Sequence, residues 1–209
     1  MIIVGAGGLA IEILEILKEK YSCNDIYFFD NVNKLESKLI YKKFKILTTE
    51  KEVKEVFRKK GKEYCIGVGG IKNKINLITL FDNYGGELNS VISKYSFIGS
   101  YDVNIGNGSI IFPGVKISNS VSLGKACLVY YNSVITHECK IGDFVEISPS
   151  ANVLGSVKVG HNVCLGANCS ILPKLVIGDN AIVGAGAVVT KSVDDAKTVI
   201  GIPAVSIGF

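Results

Sequence analysis

From Ile105 onward the chain places an aliphatic residue at every sixth position: Ile105, Ile111, Ile117, Leu123, Val129 and so on through Val183 to Val189, fifteen places without a break. Two residues before each stands a small or apolar partner, among them Val103, Ser109, Cys127, Ser133, Cys139, Cys169 and Ala187. Alternation by two inside a period of six predicts very short strands with both of these registers turned inward. Glycine recurs every eighteen residues, at Gly106, Gly124, Gly142, Gly160 and Gly178, so three hexapeptides make one coil. The coils, about five between residues 97 and 191, stack as parallel strands at the usual ~4.8 Å spacing. The expectation for the periodic glycines is a corner where they adopt backbone angles that other residues resist.

The first ninety-odd residues follow a different rhythm. Ile2-Ile3-Val4 reads as a strand running into the turn Gly5-Ala6-Gly7-Gly8-Leu9-Ala10, after which Ala10, Ile13, Leu14 and Leu17 share one helical face. Such a turn brings backbone N–H groups to a helix N-terminus, a place suited to phosphate. A second strand, Ile26 to Phe29, ends in Asp30-Asn31, where dinucleotide folds hold a ribose. A helix with Val53, Val56 and Phe57 on one face follows, then a strand Tyr64 to Val68 and the turn Gly69-Gly70. A unit of this size suits one mononucleotide better than a dinucleotide, so a redox role is disfavoured. Two domains are expected: residues 1–95, Rossmann-like and nucleotide-binding, and residues 96–209, the repeat.

Composition narrows the classes. With 48% apolar and 20% charged residues among 209, the chain is globular. Its net charge of +4 is dispersed: lysines alternate with acids, as in Lys51-Glu52-Val53-Lys54-Glu55, and Arg58 is the single arginine, which argues against a nucleic-acid partner. No apolar stretch is long enough for a membrane span and Met1-Ile2-Ile3-Val4 carries no export pattern, so a cytoplasmic location is expected. The six cysteines, none in a Cys-x-x-Cys pair, are then expected to be reduced, with Cys127, Cys139 and Cys169 packing inward and Cys164 outside that register.

Two histidines can carry chemistry. His161 follows Gly160 and is stacked in register with Lys125, Asp143 and Asp179, all solvent-type residues, so it is expected at the surface. His137 is in register with Asn119, Gly155 and Pro173, which leaves no side chain beneath it and predicts a slot beside the imidazole. Glu138 follows directly and can orient and polarise the ring, the arrangement a general base near neutral pH requires. Two histidines are too few for the ligand set of a zinc enzyme, and no metal is expected.

Gly5-Ala-Gly-Gly8, Phe29-Asp30-Asn31, Asn132-Ser-Val-Ile-Thr-His137-Glu138-Cys-Lys-Ile-Gly142, Gly184-Ala-Gly-Ala-Val-Val-Thr-Lys191 and Gly201-Ile-Pro-Ala204 together resemble the bacterial hexapeptide-repeat sugar acetyltransferases. In that family a small nucleotide-binding domain precedes a left-handed parallel β-helix, and the handedness here is implied by the resemblance alone. The members most similar to this chain N-acetylate nucleotide-linked 4-amino sugars with acetyl-CoA.

The resemblance implies that His137 takes the proton of the sugar amine and that Glu138 is its carboxylate partner. It also implies that the N–H of Ala167 faces the thioester oxygen, that Ala185, Gly155 and Glu146 line the acetyl-CoA site, and that Gly7, Gly8, Leu9, Asp30, Asn31 and Gly69 hold the nucleotide sugar. A homotrimer with active sites between subunits is implied as well. The chain departs from the family at Leu9 and Glu146, where histidines are frequent, and at Val205, where a basic residue is common. An O-acetyltransferase acting on sialic acid-type sugars and a catalytically inactive β-helix scaffold remain as alternatives. The nucleotide base and the pathway are open.

Overall fold

The structure, a computed structural model, describes residues 1–33 and 37–207. It separates into two compact units, Met1–Val91 and Ile92–Phe209.

The first unit is a six-stranded sheet with three helices. Its elements are β1 (Ile2–Val4), α1 (Gly8–Leu17), β2 (Tyr27–Phe29), β3 (Leu39–Ile40), β4 (Phe44–Leu47), α2 (Glu50–Lys60), β5 (Glu63–Ile66), α3 (Ile71–Asn83) and β6 (Glu87–Leu88). The strand order is β3-β4-β2-β1-β5-β6, parallel except for the β3–β4 hairpin, which the hydrophobic pattern did not announce. Central β1 is buried on both faces and pairs Ile3 with Phe28 on one side and with Cys65 on the other. The chain leaves β1 toward β2 and leaves β5 toward β6, in opposite directions across the sheet. Beyond the carboxyl ends of β1 and β5 a crevice therefore opens, the position where open α/β sheets bind ligands.

Packing explains two glycines of this unit. Gly5 has φ +119° and a Cβ there would lie 2.7 Å from the Gly67 carbonyl oxygen. A Cβ on Gly67 would lie 2.8 Å from both Ala10 Cβ and Ile3 Cγ2, so α1 sits directly on β1 and β5. Phe81 of α3 anchors the other side, edge-on to Phe29 with ring centroids 5.1 Å apart and 5.0 Å from the ring of Tyr64.

The second unit is a parallel β-helix with three faces built from two-residue strands. The first face stacks Ile110–Ile111, Leu128–Val129, Glu146–Ile147, Cys164–Leu165 and Ile182–Val183. The second stacks Phe97–Ile98, Lys116–Ile117, Val134–Ile135, Asn152–Val153, Ser170–Ile171 and Val188–Val189, and the third stacks Asn104–Ile105 through Val176–Ile177. Pairings such as Ile117 with Ile135 and Val153 with Ile171 confirm the eighteen-residue coil. Every sixth aliphatic from Ile111 to Val189 is buried and Ile105 is half-buried; the second register is buried except at half-buried Val103 and Leu175. Cys127, Cys139 and Cys169 lie inside as expected, while Cys164 points outward from the first face, half-buried, and all six cysteines are free. The register shortens after Val189, where Ile177 bridges Val193 and Val183 pairs with Val199.

The periodic glycines do not serve the role expected of them. None of Gly106, Gly124, Gly142, Gly160 or Gly178 has positive φ; instead a Cβ on Gly142, for example, would lie 2.6 Å from the Gly160 carbonyl oxygen of the next coil. Close approach of coils, not backbone angle, excludes side chains there. The left-handed residue lies two places later and recurs at all three corners, from Asp102 (φ 52°) through Ala126, Phe144 and Asn162 to Gly186 (φ 69°). Non-glycine residues accept this conformation at roughly 1–2 kcal/mol each. In return each from Gly114 onward turns its N–H along the stack to the preceding coil, as Ala126 does to Asn107 O (2.9 Å) and Phe144 to Lys125 O (2.8 Å). Among the described residues no helix is long and apolar enough to cross a membrane.

Candidate functional site

His137 and Glu138 occupy the corner between the second and third faces, with Gly155 and Ser156 one coil further along. The expected slot over Gly155 exists, but the imidazole itself fills it. A Cβ on Gly155 would lie 2.6 Å from His137 Cε1 and 2.7 Å from Nε2, so the absent side chain seats the ring and leaves no separate channel there. Glu138 is at the left-handed corner position (φ 61°), where its N–H donates to Asn119 O of the preceding coil (3.2 Å) while its carboxylate reaches the following one. Its Oε2 lies 3.5 Å from His137 Nδ1 and accepts a 2.7 Å hydrogen bond from Ser156 Oγ. The Ser156 hydroxyl first, and then His137, hold the Glu138 carboxyl below the usual carboxylate range. With Nδ1 turned toward a fixed carboxylate, Nε2 is the nitrogen left to accept a substrate proton. The ring is 65% exposed, so a reactant can reach it. Ser156 was missed by the sequence reading, although its place eighteen residues after Glu138 is a readable signal.

His161 is exposed and has a structural task. Its Nδ1 accepts a 3.0 Å hydrogen bond from the Asp143 N–H, within a ladder in which each corner side chain caps the backbone of the preceding coil. Lys125 N–H donates to Asp143 Oδ1 (2.9 Å), His161 N–H to Asp179 Oδ1 (2.7 Å) and Asp179 N–H to Asp195 Oδ1 (2.8 Å).

The remaining acetyl-CoA candidates lie elsewhere on the helix. Glu146 is half-buried on the first face, and Ala167 and Ala185 follow one another, one coil apart, at the corner between the first and second faces. Among the described residues the Ala167 N–H has no hydrogen-bond partner, whereas its carbonyl accepts from Gly186 N–H at 2.8 Å. Within one chain His137 and Ala167 stand at different corners of the helix, with the strand Ser170–Ile171 and its stack between those corners.

In the first unit a cleft of about 360 Å³ opens at the crevice and is lined by Gly5, Phe29, Asp30, Asn31, Val68 and Leu77 together with Asn73 and Asn76. Asp30 is 8% exposed and already engaged: Oδ1 accepts from Val32 N–H (3.0 Å) and Asn33 N–H (2.9 Å), and Oδ2 accepts from Asn33 Nδ2 (2.8 Å). Burial pushes its carboxyl up, and the donors of Asn33 and Val32 outweigh that and hold it below the ordinary value. Of the expected nucleotide residues, Asp30 and Asn31 line the cleft, while Gly7, Gly8, half-buried Leu9 and Gly69 do not. Gly7, Gly8 and Gly69 nevertheless face open space, since a Cβ on any of them meets nothing within 4 Å. Gly7 caps α1 with no side-chain hydrogen bond and no acid follows in the first turn, so nothing obstructs an anion there. Val68, Asn73, Asn76 and Leu77 were not read from the sequence. Among the described residues no group of three or more His, Cys, Asp or Glu side chains is placed to hold a metal ion.

Residues 1–81 match the PglD N-terminal domain family, and residues 138–173 and 161–191 match the bacterial transferase hexapeptide (six repeats) family. The chain joins a PglD-type domain to bacterial transferase hexapeptide repeats. No curated protein matches it at a significant level. Among solved structures it is similar to WeeI from Acinetobacter baumannii AYE, with a TM-score of 0.89 and 26% identity over 99% of this chain and 98% of that one. A histidine-to-asparagine variant of perosamine N-acetyltransferase from Caulobacter crescentus, in complex with CoA and GDP-perosamine, gives 0.86 and 22% over 100% and 96%. The acetyltransferase domain of PglB from Neisseria gonorrhoeae FA1090, in complex with acetyl coenzyme A, gives 0.87 and 22% over 99% and 98%. The PglD-type domain and the repeats thus occur in the same order in solved structures that span the whole chain.

Proposed function

We propose that this protein is an acetyl-CoA-dependent N-acetyltransferase that acetylates the amino group of a nucleotide-linked 4-amino-deoxy sugar, with dTDP, UDP or GDP as the nucleotide. The observation that carries the reading is the exposed His137 imidazole, seated on Gly155 and turned by its Nδ1 to a Glu138 carboxylate that Ser156 fixes. The amine nitrogen attacks the thioester carbonyl carbon, the C–S bond breaks and CoA departs as its thiol. The proton lost by the amine passes to His137 Nε2 and from there to the sulfur. Glu138 stabilises the imidazolium that forms in between. The ligands of the similar structures, CoA with GDP-perosamine and acetyl coenzyme A, fit the same chemistry.

The working form is a homotrimer. From Val134 onward the second face turns Asn152, Ser170 and Val188 outward as well, all uncharged and half-buried, with exposed Lys116 only on an earlier coil, whereas the third face carries exposed Lys140 and Lys158 at its middle. Three copies that turn the second face to a threefold axis set the His137 corner of one against the Ala167 corner of the next. The unpartnered N–H of the partner's Ala167 is then available to a developing oxyanion. Exposed Ile182, Ile200 and Ala185 on that side offer an apolar track for the pantetheine arm of acetyl-CoA.

The experiment is thiol release from acetyl-CoA against a panel of UDP-, GDP- and dTDP-linked 4-amino sugars, with mass spectrometry to locate the new acetyl group. Release with one of these and an N-acetyl product is expected. Acetylation of a hydroxyl, or no release with any amino sugar, overturns the assignment.

A further inference from the structure

The first-unit cleft contains three carboxamides with no hydrogen-bond partner among the described residues, Asn31, Asn73 and Asn76, and the last two share one helix. Asn73 and Asn76 stand three residues apart on α3, hence on one side of the helix, and both line the cleft. Neither side chain has a hydrogen-bond partner among the described residues, and both residues are exposed. The rest of the lining is apolar at Val4, Phe29, Val68 and Leu77 and continues along the Asp30–Asn33 turn. Apolar walls with a few polar groups among them are the usual setting for a small-molecule ligand, and a nucleobase offers the apolar faces and polar edge that match.

A second chemistry lies outside the cleft lining. Open backbone at Gly7, Gly8 and Gly69 lies at the starts of α1 and α3, where N–H groups suit a diphosphate. Asp30, the acid expected to bind ribose, has both oxygens committed to its own loop. A base edge presents donors and acceptors side by side in its plane, and a carboxamide, carrying one acceptor and one two-proton donor, pairs with such an edge in bidentate fashion. We propose that Asn73 and Asn76 hold the Watson–Crick or Hoogsteen edge of the substrate's nucleobase and determine which nucleotide the enzyme accepts. This deepens the proposed function and rests on its claim that the substrate is nucleotide-linked.

Calorimetric titration of the full chain with UDP, dTDP, GDP, ADP and inorganic pyrophosphate tests it. In the wild type the best and the worst base should differ by roughly tenfold or more in affinity, the worth of one bidentate pair. Asn73→Leu with Asn76→Leu should bring that spread below threefold while leaving pyrophosphate binding unchanged. Both positions are exposed on a helix and leucine is a good helix former, so the fold should survive, which circular dichroism verifies. Asn76→Asp, which replaces the donor with acceptors, supplies a second variant and should change the order of preference among the bases. A wild-type spread that both variants leave intact overturns the role of the two asparagines while nucleotide binding stands. Failure of every nucleoside diphosphate to bind overturns the nucleotide-linked substrate itself, and the inference with it.

Discussion

The His137 imidazole lies on the bare backbone of Gly155, one coil further along, so that the glycine is the seat of the ring. A Cβ at Gly155 would have to displace Cε1 and Nε2, and the neighbouring strands, buried through Ile135 and Val153, cannot shift to make room. Gly155→Ala should therefore turn the ring away from Glu138 and lower kcat at least roughly tenfold, with the melting temperature within a few degrees of wild type. Unchanged kcat in the variant would show that the seat is dispensable.

His137→Ala removes the proton acceptor outright. The loss should be roughly 10²-fold or more in kcat, with acetyl-CoA affinity nearly intact, since no part of the pantetheine track contains this residue. Steady-state kinetics and a direct CoA titration separate the two effects.

Ser156→Ala tests the fixing of the carboxylate. Its hydroxyl is the first reason that the Glu138 carboxyl is held below its usual range, so in the variant that carboxyl should titrate closer to an ordinary glutamate. NMR of the side-chain carbon reads the shift directly. In parallel kcat should fall several-fold, with both KM values little changed, and Ser156→Thr should restore most of it.

The six-residue step was legible because fifteen repetitions of one requirement outweigh any single exception, and inward burial depends on side-chain type. The left-handed corners were legible only in part. Gly108, Gly114, Gly186, Asn132, Asn162, Asn168 and Asn180 are the residue types that accept this conformation, a trace the six-residue step contains, but Ala126, Glu138, Phe144 and Lys174 hide it, because at those corners hydrogen bonds between coils impose the conformation whatever the side chain. The periodic glycines were visible while their reason was not, since close approach belongs to the neighbouring coil. The different corners of His137 and Ala167 could have been read: they stand thirty residues apart, which is not a whole number of eighteen-residue coils. Asn73 and Asn76 carry no pattern of their own and gain meaning only from the strand order that opens the crevice at the start of α3.

Glu52 supplies a pH-dependent part of the first unit's stability. Its carboxylate accepts from Thr48 N–H at 2.9 Å and pairs with Lys45 at 3.2 Å, while its own N–H donates to the N-cap Thr49 Oγ1 at 3.3 Å, so that the start of α2 is closed as in a capping box shifted by one residue. The Thr48 N–H foremost, against a smaller opposing effect of burial, depresses its pKa to about 2. A depressed carboxyl stabilises the fold above its unfolded value, near 4.5, and that contribution is lost as pH falls from there to about 2. Glu52→Gln should cost about 1 kcal/mol at pH 7, after allowance for solvent screening, and much less near pH 2. Urea denaturation of both proteins at the two pH values measures the difference; an equal cost at both would assign the effect to packing.

Asp30 separates substrate recognition from chemistry. It lies in the first unit, its carboxylate organises the Val32–Asn33 turn, and that turn forms one wall of the cleft. Removing the carboxylate frees two backbone N–H groups and the Asn33 amide, so the wall loosens as a whole. Asp30→Ala should raise KM for the nucleotide sugar roughly tenfold or more and leave KM for acetyl-CoA almost unchanged, because no acetyl-CoA candidate residue belongs to this unit. Asp30→Asn, which keeps an acceptor for part of the turn, should fall between the two. Free amino sugar, which lacks the nucleotide, should be a poor substrate for the wild type and should show no further loss with Asp30→Ala. If the variant instead lowers kcat for free and nucleotide-linked sugar alike, the turn acts on the chemical step, and the first unit is not merely the holder of the nucleotide.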